Sequence, residues 1–80
     1  MTNIEKYNTA FIDTFSISVD ELNDNFTNKS VENWDSIRQL SLIASIEESF
    51  DVMFDTEDML DLTSYKVGKE LLVSKYNIKL

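Results

Sequence analysis

The chain contains no cysteine and no histidine among its 80 residues. Without cysteine it has neither a disulfide framework nor Cys-ligated zinc. Without histidine, Ser-His and Cys-His catalysis and histidine metal sites are excluded within the chain. A domain that lacks both residue types is a poor candidate for a stand-alone enzyme. We therefore expect a non-catalytic protein without a metal site.

Proline is also absent, and Gly68 is the single glycine, so most of the chain can be helical without interruption. The first fifteen residues contain no apolar run of signal-peptide length, because Glu5 and Asp13 interrupt them. No segment approaches membrane-spanning length. We expect one domain over residues 1–80, monomeric and cytoplasmic, without membrane insertion.

Basic residues are few, 7 against 15 acidic residues, which gives a net charge of −8. The imbalance lies between Glu32 and Asp61, where the only basic residue is Arg38. The acidic residues of this window are Glu32, Asp35, Glu47, Glu48, Asp51, Asp55, Glu57, Asp58 and Asp61. Such a field repels nucleic acid and anionic membranes and attracts basic protein surfaces. Charge alone favours a recruiting role no more than a merely acidic surface.

Apolar residues at helical spacing predict a first helix from Asn3 to about Phe15. The segment from Ser16 to Asp35 is polar with isolated apolar residues, which indicates a long ordered loop, with a possible helical turn around Asp20 to Leu22. Inside so small a domain, a loop of this length is often functional.

The strongest helical pattern runs from Ser36 to Phe50, with Asp35 as its N-cap. Its apolar stripe includes Ile37 and Leu40 and is wide enough to predict a helix packed between others. A short connection, Asp51 to Asp55, should follow, with Val52, Met53 and Phe54 partly buried. Thr56 is the expected cap of a one-turn helix. Ser64 is the expected cap of a last helix that runs to about Lys75.

Together these patterns predict an all-α fold: a small four-helix bundle with three longer helices, one short helix and a long loop between the first two. Gly68 would cost about 1 kcal/mol relative to alanine inside the last helix. It therefore marks either a close approach of a neighbouring helix or an irregular start of its own helix.

Ser36 is the candidate functional residue, because it stands where the long loop becomes a helix. As a nucleophile it lacks a base, since no histidine exists and Asp35 alone is a weak base for an alcohol. As a phosphate acceptor it is well placed, because first-turn N–H groups and the helix dipole stabilise an added anion. Asp35 and Glu32 oppose such a charge, so another enzyme with a metal ion would have to install the group.

Asp35-Ser36-Ile37 resembles the Asp-Ser-Leu signature of acyl and peptidyl carrier proteins, with Ile in place of Leu. The stretch Glu47 to Val52 is similar to that family's Glu-Glu-x-Phe-(Asp/Gly)-(Val/Ile) motif. A short acidic turn, Thr56 to Leu60, and the Thr63-Ser64 cap continue the resemblance. It is firm from Trp34 to Leu62 and loose at both ends.

The resemblance implies that a phosphopantetheinyl transferase, using coenzyme A and magnesium, attaches 4′-phosphopantetheine to Ser36. Asp35 would cap the helix and contribute to recognition by the transferase. The arm would carry an acyl or aminoacyl unit as a thioester, in fatty acid or secondary metabolite biosynthesis, and the core could shelter an apolar chain. The implied partners are the transferase, a loading ligase and downstream acyl-using enzymes. The cargo stays open.

The same resemblance predicts a docking surface on the loop before the serine and on the helix after it. The expected partner-binding residues are Trp34, Ile37, Arg38, Ser41, Glu47, Glu48 and Asp58. In fatty-acid-synthesis carriers the positions of Arg38 and Ser41 are usually acidic, and Trp34 resembles the Trp-Asp-Ser form of specialised carriers. We therefore expect a specialised carrier. For Trp34, packing that pins the loop is favoured over partner contact.

Two other interpretations remain open. An acidic helical adaptor would bind a basic protein partner without a prosthetic group and would leave Ser36 as a second capping hydroxyl. A calcium-responsive protein is disfavoured, because the stretch from Asp55 to Asp61 lacks the turn glycine and the ligand order of an EF-hand.

Overall fold

The computed structural model describes residues 1–80 and contains four α-helices and no strands. They are α1 (Asn3–Phe15), α2 (Ser36–Phe50), α3 (Thr56–Asp61) and α4 (Tyr65–Ser74), with one 3₁₀ turn at Val19–Glu21 between α1 and α2. The predicted all-α fold, with three longer helices and one short helix, is confirmed. None of the four helices has the length and apolar character needed to cross a membrane.

Local capping fixes where the helices begin. Asp35 accepts a hydrogen bond from the Arg38 N–H at 2.8 Å, and Ser64 accepts one from the Val67 N–H at 3.0 Å, as predicted. The prediction for α3 was wrong by one residue. Its cap is Asp55, whose carboxylate accepts the Asp58 N–H at 2.8 Å, and Thr56 is the first residue of the helix itself.

The centre of the fold is a cluster of aromatic rings contributed by α1, the long loop and α4. Phe11 lies at its middle, with ring centroids 5.8 Å from Phe26, 6.0 Å from Trp34 and 5.4 Å from Tyr65. Edge-to-face pairs at these distances add about 0.5–1.5 kcal/mol each beyond area burial. α2 completes the core from the other side with three buried side chains, Leu42, Ile43 and Ile46.

The long loop is ordered because it pairs with the connection between α3 and α4. The Asn28 N–H donates to the Thr63 carbonyl at 2.8 Å, and the Tyr65 N–H donates to the Phe26 carbonyl at 3.0 Å. These two bonds flank a single antiparallel bridge between Thr27 and Ser64. The middle of the loop is therefore fixed against the start of α4.

The predicted apolar stripe of α2 is narrower in the structure. Ile37 and Leu40, both members of the predicted stripe, are 73% and 64% exposed. Met53, expected to be partly buried, is 84% exposed, whereas its neighbour Phe54 is buried. Helical spacing identifies the apolar face of α2 but not how much of that face the neighbouring elements cover.

A polar cluster ties α3 to the end of α4. Lys75 Nζ lies 2.8 Å from a carboxylate oxygen of Asp55 and 2.9 Å from one of Asp58. The Tyr76 hydroxyl also donates to Asp58. Asp58 is 2% exposed, and burying a carboxylate is costly unless it is paired and hydrogen-bonded. The cluster therefore fixes the position of a helix too short to be stable alone.

Candidate functional site

Ser36 is the first residue of α2, and its side chain is exposed. Its hydroxyl takes part in none of the side-chain hydrogen bonds of the fold, which distinguishes it from the capping residue Asp35. The backbone N–H groups of Ser36 and Ile37 also have no acceptor in the chain, since the first-turn bonds begin at Arg38 and Gln39. The serine oxygen is therefore free for chemistry beside two unused donors.

Asp35 and Arg38 form an ion pair on the surface next to Ser36. Their side-chain atoms lie 3.3 Å apart, and the two side chains are 52% and 42% exposed. Solvent screening makes such a pair worth at most about 1 kcal/mol. Its importance is therefore local. The arginine partly neutralises the acid nearest to Ser36, and the electrostatic opposition to an added phosphate is reduced.

Two shallow grooves between α2 and α3 open beside Ser36. One, of about 310 Å³, is apolar and is lined by Leu40, Ile43, Met59 and Leu60 together with Ser36. The other, of about 270 Å³, is more polar and extends toward the long loop. Ser36 lines both grooves, so a group attached to its oxygen would have two surfaces within reach.

Gln39 lines both grooves, and the sequence analysis did not single it out. Its side-chain N–H₂ donates to the Met59 carbonyl at 3.0 Å and to the Leu62 carbonyl at 2.8 Å, which fastens α2 to the end of α3. Its side-chain oxygen accepts the indole N–H of Trp34 at 2.5 Å. One signal was available: Gln39 is a polar residue one turn after Ser36, beside the buried side of the helix.

Part of the predicted docking set lies together. Ile37, Ser41 and Glu48 follow one exposed stripe of α2, and Arg38 is half-exposed beside it. The exposed Leu40 and Leu60 (73%) extend this surface toward α3. We call this set of residues the α2–α3 face. It combines exposed apolar side chains with the acidic charge of Glu48.

Three residues of the predicted docking set have other roles in the structure. Trp34 is only 9% exposed and packs against Phe15 with ring centroids 5.0 Å apart, which supports the packing interpretation. Asp58 is buried in the ion pair with Lys75. Glu47 is half-buried, and its carboxylate accepts the Phe54 N–H at 2.8 Å, which holds the turn after α2.

Comparisons of this chain with protein-family models, with curated proteins and with solved structures find no match. The fold and the geometry around Ser36 therefore have to carry the functional argument.

Proposed function

We propose that this chain is a non-catalytic carrier protein that holds an acyl or aminoacyl unit on 4′-phosphopantetheine attached to Ser36 and delivers it to partner enzymes. One observation carries the proposal. Ser36 is exposed and without hydrogen-bond partners at the first position of a 15-residue helix, at the edge of a groove. A serine that served only as a cap would use its oxygen on the helix, and here Asp35 has that role.

The residues around Ser36 fit such a group. The serine oxygen would hold its phosphate, and the free N–H groups of Ser36 and Ile37 stand at the positive end of the helix dipole, where an anion is favoured. Arg38 adds a positive charge on the same side. The group itself would supply a thiol that carries the cargo as a thioester. The protein's share is to present, orient and partly shield it.

Attachment needs a second enzyme, because the site contains no base for the serine hydroxyl. In the transfer, the Ser36 oxygen forms a bond to the phosphorus of coenzyme A that bears pantetheine. The bond from that phosphorus to the adenosine bisphosphate portion breaks, and adenosine 3′,5′-bisphosphate leaves. The serine proton passes to the transferase. Asp35 contributes by holding the first turn of α2 in place.

The α2–α3 face is the surface that we expect partners to contact. Exposed apolar side chains at Ile37, Leu40 and Leu60 surround Ser36, and exposed aromatic or aliphatic anchors inside a polar rim are typical of protein interfaces. The acidic window from Glu32 to Asp61 favours partners with basic surfaces. Arg38 interrupts that acidity beside the attachment point, which supports a specialised set of partners.

Intact mass measurement tests the proposal directly. The protein is incubated with coenzyme A, magnesium and a promiscuous phosphopantetheinyl transferase. We expect the mass of one phosphopantetheinyl group to be added to the wild type and none to Ser36→Ala. Ser74→Ala is the matched control, since Ser74 is also an exposed helical serine, and it should be modified like the wild type. An unmodified wild type, under conditions that load a known carrier, would refute the proposal.

The acidic adaptor is the second candidate, and the exposed apolar side chains of the α2–α3 face also support it. An adaptor would bind its basic partner equally well before and after Ser36→Ala. The same mass experiment separates the two candidates, because only the carrier requires a covalent addition at Ser36.

A further inference from the structure

The seam between α2 and α3 lies next to Ser36, and the Gln39 side chain bridges it. Its hydrogen bonds to the Met59 and Leu62 carbonyls span the seam between α2 and α3. The bond from Trp34 to the Gln39 oxygen fastens the end of the long loop to the same point. A chain attached to Ser36 would have to break this set of bonds to pass between the helices.

Behind Gln39 the core is filled. The side chains of Tyr7, Phe11, Leu42 and Ile46 are fully buried and pack against the aromatic cluster. None of the five principal cavities of the protein is lined by any of these four residues. The two grooves that Ser36 does line are open to solvent. The native fold therefore offers space on its surface and none in its interior.

These two observations bear on the cargo. Moving each methylene of an alkyl chain out of water is favourable, so a carrier of long chains gains from an interior cavity. Here the apolar surface within reach of Ser36 is one groove of about 310 Å³, at the lower end of the roughly 300–1,000 Å³ that small-molecule sites occupy. A short or polar unit loses little by remaining on such a surface.

We propose that Gln39 is a specificity-determining residue that seals the α2–α3 seam, so that the unit carried on Ser36 is a short acyl or aminoacyl group that stays outside the core. The inference rests on the proposed carrier function. It replaces the expectation that the core shelters an apolar chain. Gln39 is a positioning residue, because its hydrogen bonds hold α3 and Trp34 in place and none of them involves Ser36.

The test uses the absence of cysteine from the chain. Ser36→Cys introduces a unique thiol, to which flexible linkers of pantetheine length ending in acetyl, hexyl or decyl groups are coupled. Thermal unfolding and the methyl NMR signals of Leu42 and Ile46 are recorded for each conjugate. We expect the three conjugates to unfold at the same temperature and to leave both core methyl signals unshifted.

Gln39→Ala, made in the Ser36→Cys background, should open the seam. All its conjugates should unfold at lower temperature, and the unfolding temperature should then rise by several degrees from acetyl to decyl, with shifts at Leu42 and Ile46. The difference between conjugates reports entry of the chain, since a general loss of stability affects all three equally. If Gln39→Ala fails to fold, Gln39→Met retains the side-chain volume without its hydrogen bonds and takes its place.

Asn8→Ala is the matched control. It removes the hydrogen bond from the Tyr65 hydroxyl, which joins α4 to α1. It should therefore lower the unfolding temperature without any dependence on chain length. The proposal would be overturned if the unfolding temperature depended on chain length in the Ser36→Cys parent or in the Asn8 variant. It would also be overturned if that dependence were absent from the Gln39 variant. Failure of the carrier function itself would be seen separately, as an unmodified wild type in the mass experiment.

Discussion

Replacing Gly68 by alanine would test how closely α4 approaches α1. A Cβ atom on Gly68 would lie 2.1 Å from the Tyr7 hydroxyl oxygen and 2.8 Å from a Leu62 methyl carbon. Both neighbours are fully buried, and the Tyr7 hydroxyl donates to the Tyr65 carbonyl at 2.6 Å. The added methyl group can therefore be accommodated only if Tyr7 moves and gives up this bond.

The magnitude follows from three opposing effects. Alanine gains about 1 kcal/mol over glycine inside a helix. Overpacking a filled core costs about 1–3 kcal/mol, and loss of the Tyr7 hydrogen bond costs about 1 kcal/mol more. The net expectation for Gly68→Ala is a loss of about 2 kcal/mol in the free energy of unfolding. For a domain of this size, that lowers the melting temperature by on the order of 10 °C.

Urea unfolding followed by circular dichroism measures this loss, with Ser41→Ala as the control for helix propensity. Ser41 is exposed on α2, so its replacement should stabilise by a few tenths of a kcal/mol. Combining Tyr7→Phe with Gly68→Ala removes the nearer of the two atoms that the new Cβ meets. The double variant should therefore be about 1 kcal/mol more stable than the sum of the single changes. A Gly68→Ala protein as stable as the wild type would show that the helices are not in contact there.

Three further predictions concern charge. Hydrogen bonds from Lys75 and from the Asp58 N–H hold the pKa of Asp55 below its ordinary value of 3.8. The stability that Asp55 contributes is therefore present above about pH 4 and is lost as the pH falls through its lower folded pKa. Asp55→Asn should be less stable than the wild type at neutral pH, and its stability should depend less on pH in acid. Burial, and then its bond to Asp58, raise the pKa of Tyr76 from 10.0 to about 12. The free energy of unfolding should therefore fall as the pH rises from 10 to 12, and it should fall less in Tyr76→Phe. Equal alkaline profiles for the two proteins would contradict a stabilising role of the Tyr76 hydroxyl. Arg38→Asp makes the α2–α3 face more acidic, so partners of the fatty-acid-synthesis type, which have basic surfaces, should dock faster at low salt but not at about 1 M salt. An unchanged on-rate at low salt would show that this face is not the docking surface.

The bounds of three helices were predictable because local signals determine them. α1, α2 and α4 lie where apolar residues at helical spacing and good capping residues predicted them. The position of Ser36 followed in the same way, since Asp35 is an N-cap whatever the rest of the fold does. The close approach at Gly68 was one of two predicted alternatives, and the structure selects it.

The exposed surface around Ser36 could not be predicted from spacing. Periodicity shows which residues share a helix face but not how far the neighbouring element extends along it. Leu40 and Ile43 both belong to the apolar side of α2, yet Ile43 is buried in the core and Leu40 is 64% exposed. The apolar part of the α2–α3 face is therefore a result of tertiary packing.

By itself, the sequence determined the helical class, the helix starts and the placement of one serine at a helix N-terminus, because these depend on residues within a turn or two of each other. The tertiary structure decided which polar residues are structural. Asp58 is hydrogen-bonded to Lys75, 17 positions away in the sequence, and Gln39 to the Leu62 carbonyl, 23 positions away. Such pairs form when packing brings distant segments together. Only the folded structure therefore distinguishes the structural role of Gln39 from the free hydroxyl of Ser36.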